Sequence, residues 1–153
     1  MSRLKFPPLQ PEQRERLLTR TSGPFSDFLG IRLLEIEAGF ARLELTFKPE
    51  LTHAGGIVQG GLIATIADHA IALAVGAALG GEIGHTSIDL KINFIRAVPK
   101  GNLTAEAWLI HLGGRTAVGE SVVTDDQGRV VAKCLSSIMI LPEGRRHQAP
   151  GAK

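Results

Sequence analysis

With one cysteine in 153 residues, Cys134, the chain has no partner for an internal disulfide. A cysteine-stapled scaffold is therefore excluded, and a reducing compartment is the simplest setting. Aromatic residues amount to only 5%, with a single Trp and no Tyr, so most of the 44% apolar content is aliphatic or small. The opening Met-Ser-Arg-Leu-Lys-Phe-Pro-Pro has neither the apolar core nor the small-residue cleavage site of a secretory signal, which gives the expectation of a cytoplasmic protein. No internal repeat, linker or low-complexity block divides the sequence. A chain of this length buries roughly two-thirds of its unfolded surface and needs no structural metal to hold a core.

The net charge of +2 and isoelectric point near 9.0 suggest an anionic partner until the charge is located. Residues 1–20 carry +3 and residues 142–153 carry +2, which leaves −3 on 21–141. Duplex binding depends on a basic face that neutralises phosphates, so nucleic acid is not the expected partner.

Hydrophobic periodicity divides the chain into recognisable elements. Residues 11–21 read as a short amphipathic helix, and 25–29 as a helical turn closed by Gly30. A strand over 31–38 is followed by an Ala38-Gly39 turn and by strict alternation, with Ala41, Leu43, Leu45 and Phe47 on one face. Further on, Ile88, Leu90, Ile92 and Phe94 alternate with Asp89, Lys91 and Asn93, which predicts one strand. Runs at 103–112, 116–124 and 129–141 complete the set, separated by Gly113-Gly114 and Asp125-Asp126-Gln127-Gly128 turns. Between the two strand groups lies an apolar, alanine-rich segment, 60–79, whose only polar side chains are Thr65, Asp68 and His69. A helix apolar all round is buried in protein or in a membrane. The central Asp-His pair and the soluble strand pattern on both sides argue against the membrane. Two strands, a buried helix and four strands make an α+β domain, its antiparallel sheet curved around a central helix.

Asp68 is the residue that this helix least accommodates, because a buried carboxylate costs several kcal/mol unless paired or hydrogen-bonded. The segment entering the helix, His53-Ala54-Gly55-Gly56-Ile57-Val58-Gln59-Gly60-Gly61, is glycine-rich but lacks the Gly-Lys-Ser/Thr of a phosphate loop. Free amides at a helix start suit a developing oxyanion. Gly60 and Asp68 are eight residues apart, hence roughly 12 Å along one helix axis. If both serve one carbonyl, the carboxylate comes from a second subunit, and a twofold dimer with antiparallel helices makes two such composite sites.

Gln59-Gly60-Gly61, with His53 six residues before it, Asp68 nine after Gln59, and the strand Thr86-Ser87-Ile88-Asp89-Leu90-Lys91-Ile92-Asn93-Phe94, resembles the hotdog-fold acyl-CoA thioesterases of the phenylacetate-degradation group. The resemblance implies a hotdog domain over 25–141, with 1–24 as an N-terminal extension and 142–153 as a tail. It implies Asp68 as catalytic nucleophile or base and the Gly60 amide, with Gly61 beside it, polarising the thioester carbonyl. Ser87 would orient the carboxylate or the water, and Gln59 and His53 would contact substrate. The substrate class is an acyl-CoA and the expected assembly a homodimer or dimer of dimers. No cofactor is implied, since coenzyme A is part of the substrate, and no metal.

Gln59 stands where the family usually has His, and His53 where it usually has Asn. A glutamine amide donates a hydrogen bond but exchanges no proton, which keeps open a non-catalytic acyl-CoA or small-ligand binding protein on the same fold. His69, about 100° round the helix from Asp68, is expected to pack rather than react, and Cys134 to be a buried thiol. Arg96, Lys100 and Arg115 are candidates for the coenzyme A phosphates, with solvated surface as the default for each.

Overall fold

The computed structural model describes residues 4–21, 23–82 and 84–142. In chain order the elements are α1 (Pro11–Thr21), α2 (Pro24–Leu29), β1 (Ile31–Glu37), β2 (Phe40–Leu45), a 3₁₀ turn at Pro49–Leu51, α3 (Gly60–Ala78), β3 (His85–Ser87), β4 (Lys91–Phe94), β5 (Leu103–Leu112), β6 (Thr116–Asp125) and β7 (Val130–Ile140). One antiparallel sheet runs in the order β1-β2-β5-β6-β7-β3, with β4 also on the far edge of β7. α3 packs against β2, β5, β6 and β7. The expected tail 142–153 lies outside the described residues apart from Pro142.

The apolar character of α3 is explained by this placement. Its length and composition would suit a membrane span, but ten of its residues are buried within the protein. Ile66, Ile71 and Val75 are fully buried with Leu43, Leu109, Val123 and Ile138 from the sheet, each contributing about 1.5–3 kcal/mol relative to exposure. The helix packs tightly at Gly119 of β6, where a Cβ would lie 2.6 Å from Ile71 Cγ2. A side chain there would exclude the helix from its seat. At the other end of α3, Leu17 of α1 is 2% exposed, so the N-terminal helix shares the core. Gly30 closes α2 at φ 77°, its N–H donating to the Ser26 and Asp27 carbonyls, in a conformation that only glycine adopts without cost.

The β6–β7 turn is held by a buried acid. Asp125 accepts hydrogen bonds from the Gln127 N–H (3.0 Å), the Arg129 N–H (2.9 Å) and the Arg129 Nε (2.7 Å). Burial pushes its carboxyl pKa up, but the Arg129 backbone and guanidinium and the Gln127 N–H outweigh it and hold the pKa below the usual value. A carboxyl lowered in the folded state stabilises the fold above its unfolded pKa, and that contribution is lost as pH falls through the folded one. Acidification from about pH 7 to about pH 3 should therefore lower the melting temperature. Asp125→Asn should be less stable at neutral pH and show a shallower acid slope; an unchanged slope would remove Asp125 from the acid response.

The sequence pattern differs from the structure at one strand. Of the alternating run expected as a single strand from Ile88, only Lys91–Phe94 forms a strand, β4; residues 88–90 separate it from β3 at His85–Ser87, and five strands rather than four follow α3. Three residues, Ile88, Asp89 and Leu90, separate Ser87 from Lys91, whereas only Ser136 and Ser137 separate their partners Ile138 and Leu135 on β7. The extra residue shifts the register by one, so the apolar positions do not all face the core. Ile88, Phe94 and the adjoining Ile95 are each more than half exposed. Phe47, expected as the end of the second strand, lies beyond β2, which stops at Leu45.

Candidate active site

The loop entering α3 is built by its own hydrogen bonds. The His53 N–H donates to the Ile57 carbonyl (2.9 Å), and the Gly56 N–H returns to the His53 carbonyl (2.8 Å). The exposed His53 ring is occupied as well, since its Nδ1 accepts from the Gly55 N–H at 2.9 Å. With Nδ1 accepting, Nε2 is the ring nitrogen left for another partner. Gly55 suits this turn because a Cβ would lie 2.8 Å from the imidazole.

Gln59 is the N-cap of α3, and its Oε1 accepts from the Gly61 N–H. This corrects one expectation: the Gly61 amide is occupied by the cap and does not stand beside Gly60 as a second free donor. What remains at the helix start is the Gly60 N–H, for which no acceptor occurs among the described residues, and the Gln59 Nε2, which the cap does not use. Phe94 of β4 lies against this end, its ring 3.3 Å from where a Gly60 Cβ would be. Phe94 shares the helix-facing side of β4 with Ile92, and the glycine at position 60 is the sequence signal of a ring approaching there.

Asp68 is half-buried on α3, and its Oδ1 accepts a hydrogen bond from Ser87 Oγ at 2.8 Å. Three contacts fix how the sheet edge runs beside the helix: His85 near Gly76, Ser87 on Asp68, and Phe94 at Gly60. The edge and the helix are antiparallel, so the Asp68–Ser87 pair sits in the middle and the Gln59–Gly60 donors at the end. Within one subunit these two groups are separated by the eight-residue rise of a continuous helix, roughly 12 Å. His53, Gln59, Gly61 and Ser87 are all exposed.

Beneath the pair, Cys134 of β7 is buried, with its thiol pKa pushed up to about 11. Burial is the main cause, partly offset by a hydrogen bond with Ser121, and the nearby Asp68 and Asp89 carboxylates push further upward. The thiolate that would react is thus suppressed. Iodoacetamide at about pH 8 should leave Cys134 unmodified in the folded protein and label it on denaturation; rapid labelling of the native form would contradict its burial. His69, next to Asp68, is half-buried, and burial lowers its pKa despite the opposing effect of the Asp68 charge. Trp108 Nε1 donates to Glu120 across β5 and β6 at 2.6 Å and belongs to the sheet.

A long central helix cradled by a curved antiparallel sheet is the hotdog fold. The chain belongs to the thioesterase superfamily, whose family model matches residues 55–132. A Saccharolobus solfataricus protein named as a candidate esterase is 31% identical over 138 residues, which is 90% of each chain. The 1,4-dihydroxy-2-naphthoyl-CoA hydrolase of Listeria monocytogenes is 25% identical over 118 residues, covering 77% of this chain and 94% of its own. Among solved structures, the Escherichia coli PaaI protein of the phenylacetic acid degradation operon superposes with a TM-score of 0.80 at 22% identity, over 88% of this chain and 96% of that one.

Proposed function

We propose that the protein is an acyl-CoA thioesterase acting as a homodimer or a dimer of dimers, with Asp68 of one subunit and the α3 start of another forming each site. The observation that carries this reading is the Ser87–Asp68 hydrogen bond at 2.8 Å. It holds a carboxylate at a fixed angle on an apolar helix, where one without a role would be a net cost. The thioester carbonyl oxygen accepts from the Gly60 N–H and from Gln59 Nε2, so negative charge building on it meets donors already in place. Asp68 then takes a proton from water as the water oxygen attacks the carbonyl carbon, or attacks that carbon itself. In either route the carbon–sulfur bond breaks and coenzyme A leaves as the thiol after protonation; in the first the acyl group is released directly as a free acid, and in the second water hydrolyses the acyl–Asp68 anhydride to the free acid and restores the carboxylate. Ser87 orients the carboxylate, and His53 presents its Nε2 at the rim of the loop.

The dimer is supported by two features. The roughly 12 Å between Asp68 and Gly60 excludes one carbonyl from reaching both within a subunit. Alongside them runs an open sheet edge carrying exposed Ile88, Leu90, Phe94 and Ile95, which a second copy would cover. The naphthoyl-CoA relative favours aryl-CoA substrates among the candidates. A reducing cytoplasm suits the lone thiol.

The test is thiol release from purified protein with a panel of aryl- and fatty acyl-CoAs. Turnover of at least one substrate, lost in Asp68→Asn, is the expected result. Tight binding without turnover of any would replace the hydrolase with a binding protein on the same fold.

A further inference from the structure

We propose that Asp89, together with Ser136, is a positioning residue of this site: it pins the extra residue between β3 and β4 that turns the Ser87 hydroxyl inward onto Asp68. The inference rests on the reading of Asp68 and Ser87 as the working pair.

Directly opposed residues in an antiparallel ladder share a face. Ser87 is opposite Ile138, and Ile92 is opposite Cys134, both of them buried inward positions of β7. Ser87 and Ile92 therefore both face the helix, although they are five residues apart. In an unbroken strand, positions an odd number apart face opposite sides. A regular strand that kept Ile92 in the core would turn Ser87 out to solvent, away from Asp68. The extra residue at 88–90 reconciles the two, as a β-bulge does when it re-aims a side chain.

What holds that residue in place is specific. Asp89 Oδ1 accepts from the Ser137 N–H at 3.0 Å, and the Asp89 carbonyl accepts from Ser136 Oγ at 2.7 Å. Ser136 is fully buried on the inward face of β7, so its hydroxyl has a fixed origin. Just before the bulge, the Ile88 N–H donates to the Ser137 carbonyl at 2.8 Å. Side chain and main chain of Asp89 thus grip adjacent residues of β7, directly across from the slip. Asp89 lies two residues from Ser87 and acts on the carboxylate only through it. No such arrangement follows from the alternating pattern, which reads Asp89 as a solvent-facing residue of a regular strand.

The experiment compares Ser87→Ala, Asp89→Ala, the double variant, Asp89→Asn and Ser136→Ala in the full-length protein. Each is assayed with the best substrate of the wild type and by the 13Cγ resonance of Asp68. Ser87→Ala and Asp89→Ala should each lower kcat by about tenfold to a hundredfold, the scale of a misplaced catalytic group, and the double variant should be no worse than either. KM should stay within about twofold, as for an interaction used mainly in the transition state. Asp89→Asn keeps an oxygen for the Ser137 N–H and should restore kcat. The Asp68 resonance should move to the same position in Ser87→Ala and Asp89→Ala and return in Asp89→Asn. If Asp89→Ala does not fold, Ser136→Ala, which deletes a single hydroxyl, should move kcat and the resonance in the same direction. Multiplicative losses in the double variant would overturn the proposal. So would a Ser87→Ala that shifts the resonance while Asp89→Ala and Ser136→Ala leave it in place. If the wild type hydrolyses no thioester, the hydrolase reading fails while the resonance still decides whether Asp89 aims Ser87.

Discussion

Asp68→Asn is expected to lower kcat for thioester hydrolysis by about 10²–10⁴, the range for loss of a positioned base, with little change in stability. The substitution is nearly isosteric and leaves Oδ1 to accept the Ser87 hydroxyl, so the bond that holds the side chain at 2.8 Å survives. It removes the negative charge, and with it the ability to accept a proton from water or to attack carbon. The complementary change is Gly60→Pro. Proline is tolerated at the first position of a helix, where its missing N–H has no intrahelical acceptor. Gln59 already has the extended backbone, φ −65° and ψ 130°, that a following proline requires. The variant deletes one donor from the helix start, and a loss of about 10²–10³ in kcat is expected for an oxyanion contact; its ring also meets Phe94, 3.3 Å from the Cβ position, so Gly60→Ala, which makes that contact but keeps the N–H, is the control and should stay active. Full activity in Asp68→Asn or Gly60→Pro would take that residue out of the mechanism.

The second large effect is structural. Ile71→Ala should destabilise the protein by about 2–5 kcal/mol, as for other buried truncations. At about 2–4 °C per kcal/mol for a domain of this size, the shift in melting temperature is easily measured. Gly119→Ala should also destabilise, by about 1–3 kcal/mol, through overpacking, because its Cβ would lie 2.6 Å from Ile71 Cγ2. The two side chains compete for one space, so the double variant should be more stable than the sum of the single losses by about 0.5–3 kcal/mol. Additive losses would mean that Gly119 tolerates a methyl group by some movement other than that of Ile71.

Much of this arrangement is legible in the residue pattern. The 11–21 helix and the 103–112 strand coincide with α1 and β5, because periodicity and the flanking prolines and glycines agree there. Helix α3 is legible because an unbroken apolar, alanine-rich run has only one way to be buried in a small α+β domain. The break at residues 88–90 is not. Ile88, Leu90, Ile92 and Phe94 alternate perfectly, and one register shift made by tertiary hydrogen bonds to β7 overrides that pattern. The same shift puts Ile88 on the face opposite Ile92 and Phe94, a placement that chain pattern cannot distinguish from a core. At the site, a carboxylate and a set of glycines are visible as residue types. The pairing of Ser87 with Asp68 depends on strand facing, and the capture of the Gly61 amide by Gln59 depends on a side-chain torsion; sequence encodes neither locally.

The central claim is that each site is shared between subunits, and a mixed dimer tests it most directly. Asp68→Asn and Gly60→Pro chains carrying different affinity tags are co-expressed, and the heterodimer is isolated through both. If Asp68 of one subunit works with Gly60 of the other, one site of the pair carries both lesions and its twin carries none. The heterodimer should then show about half the activity of the wild type, although each parent homodimer is nearly inactive. A heterodimer as inactive as its parents would contradict the shared site.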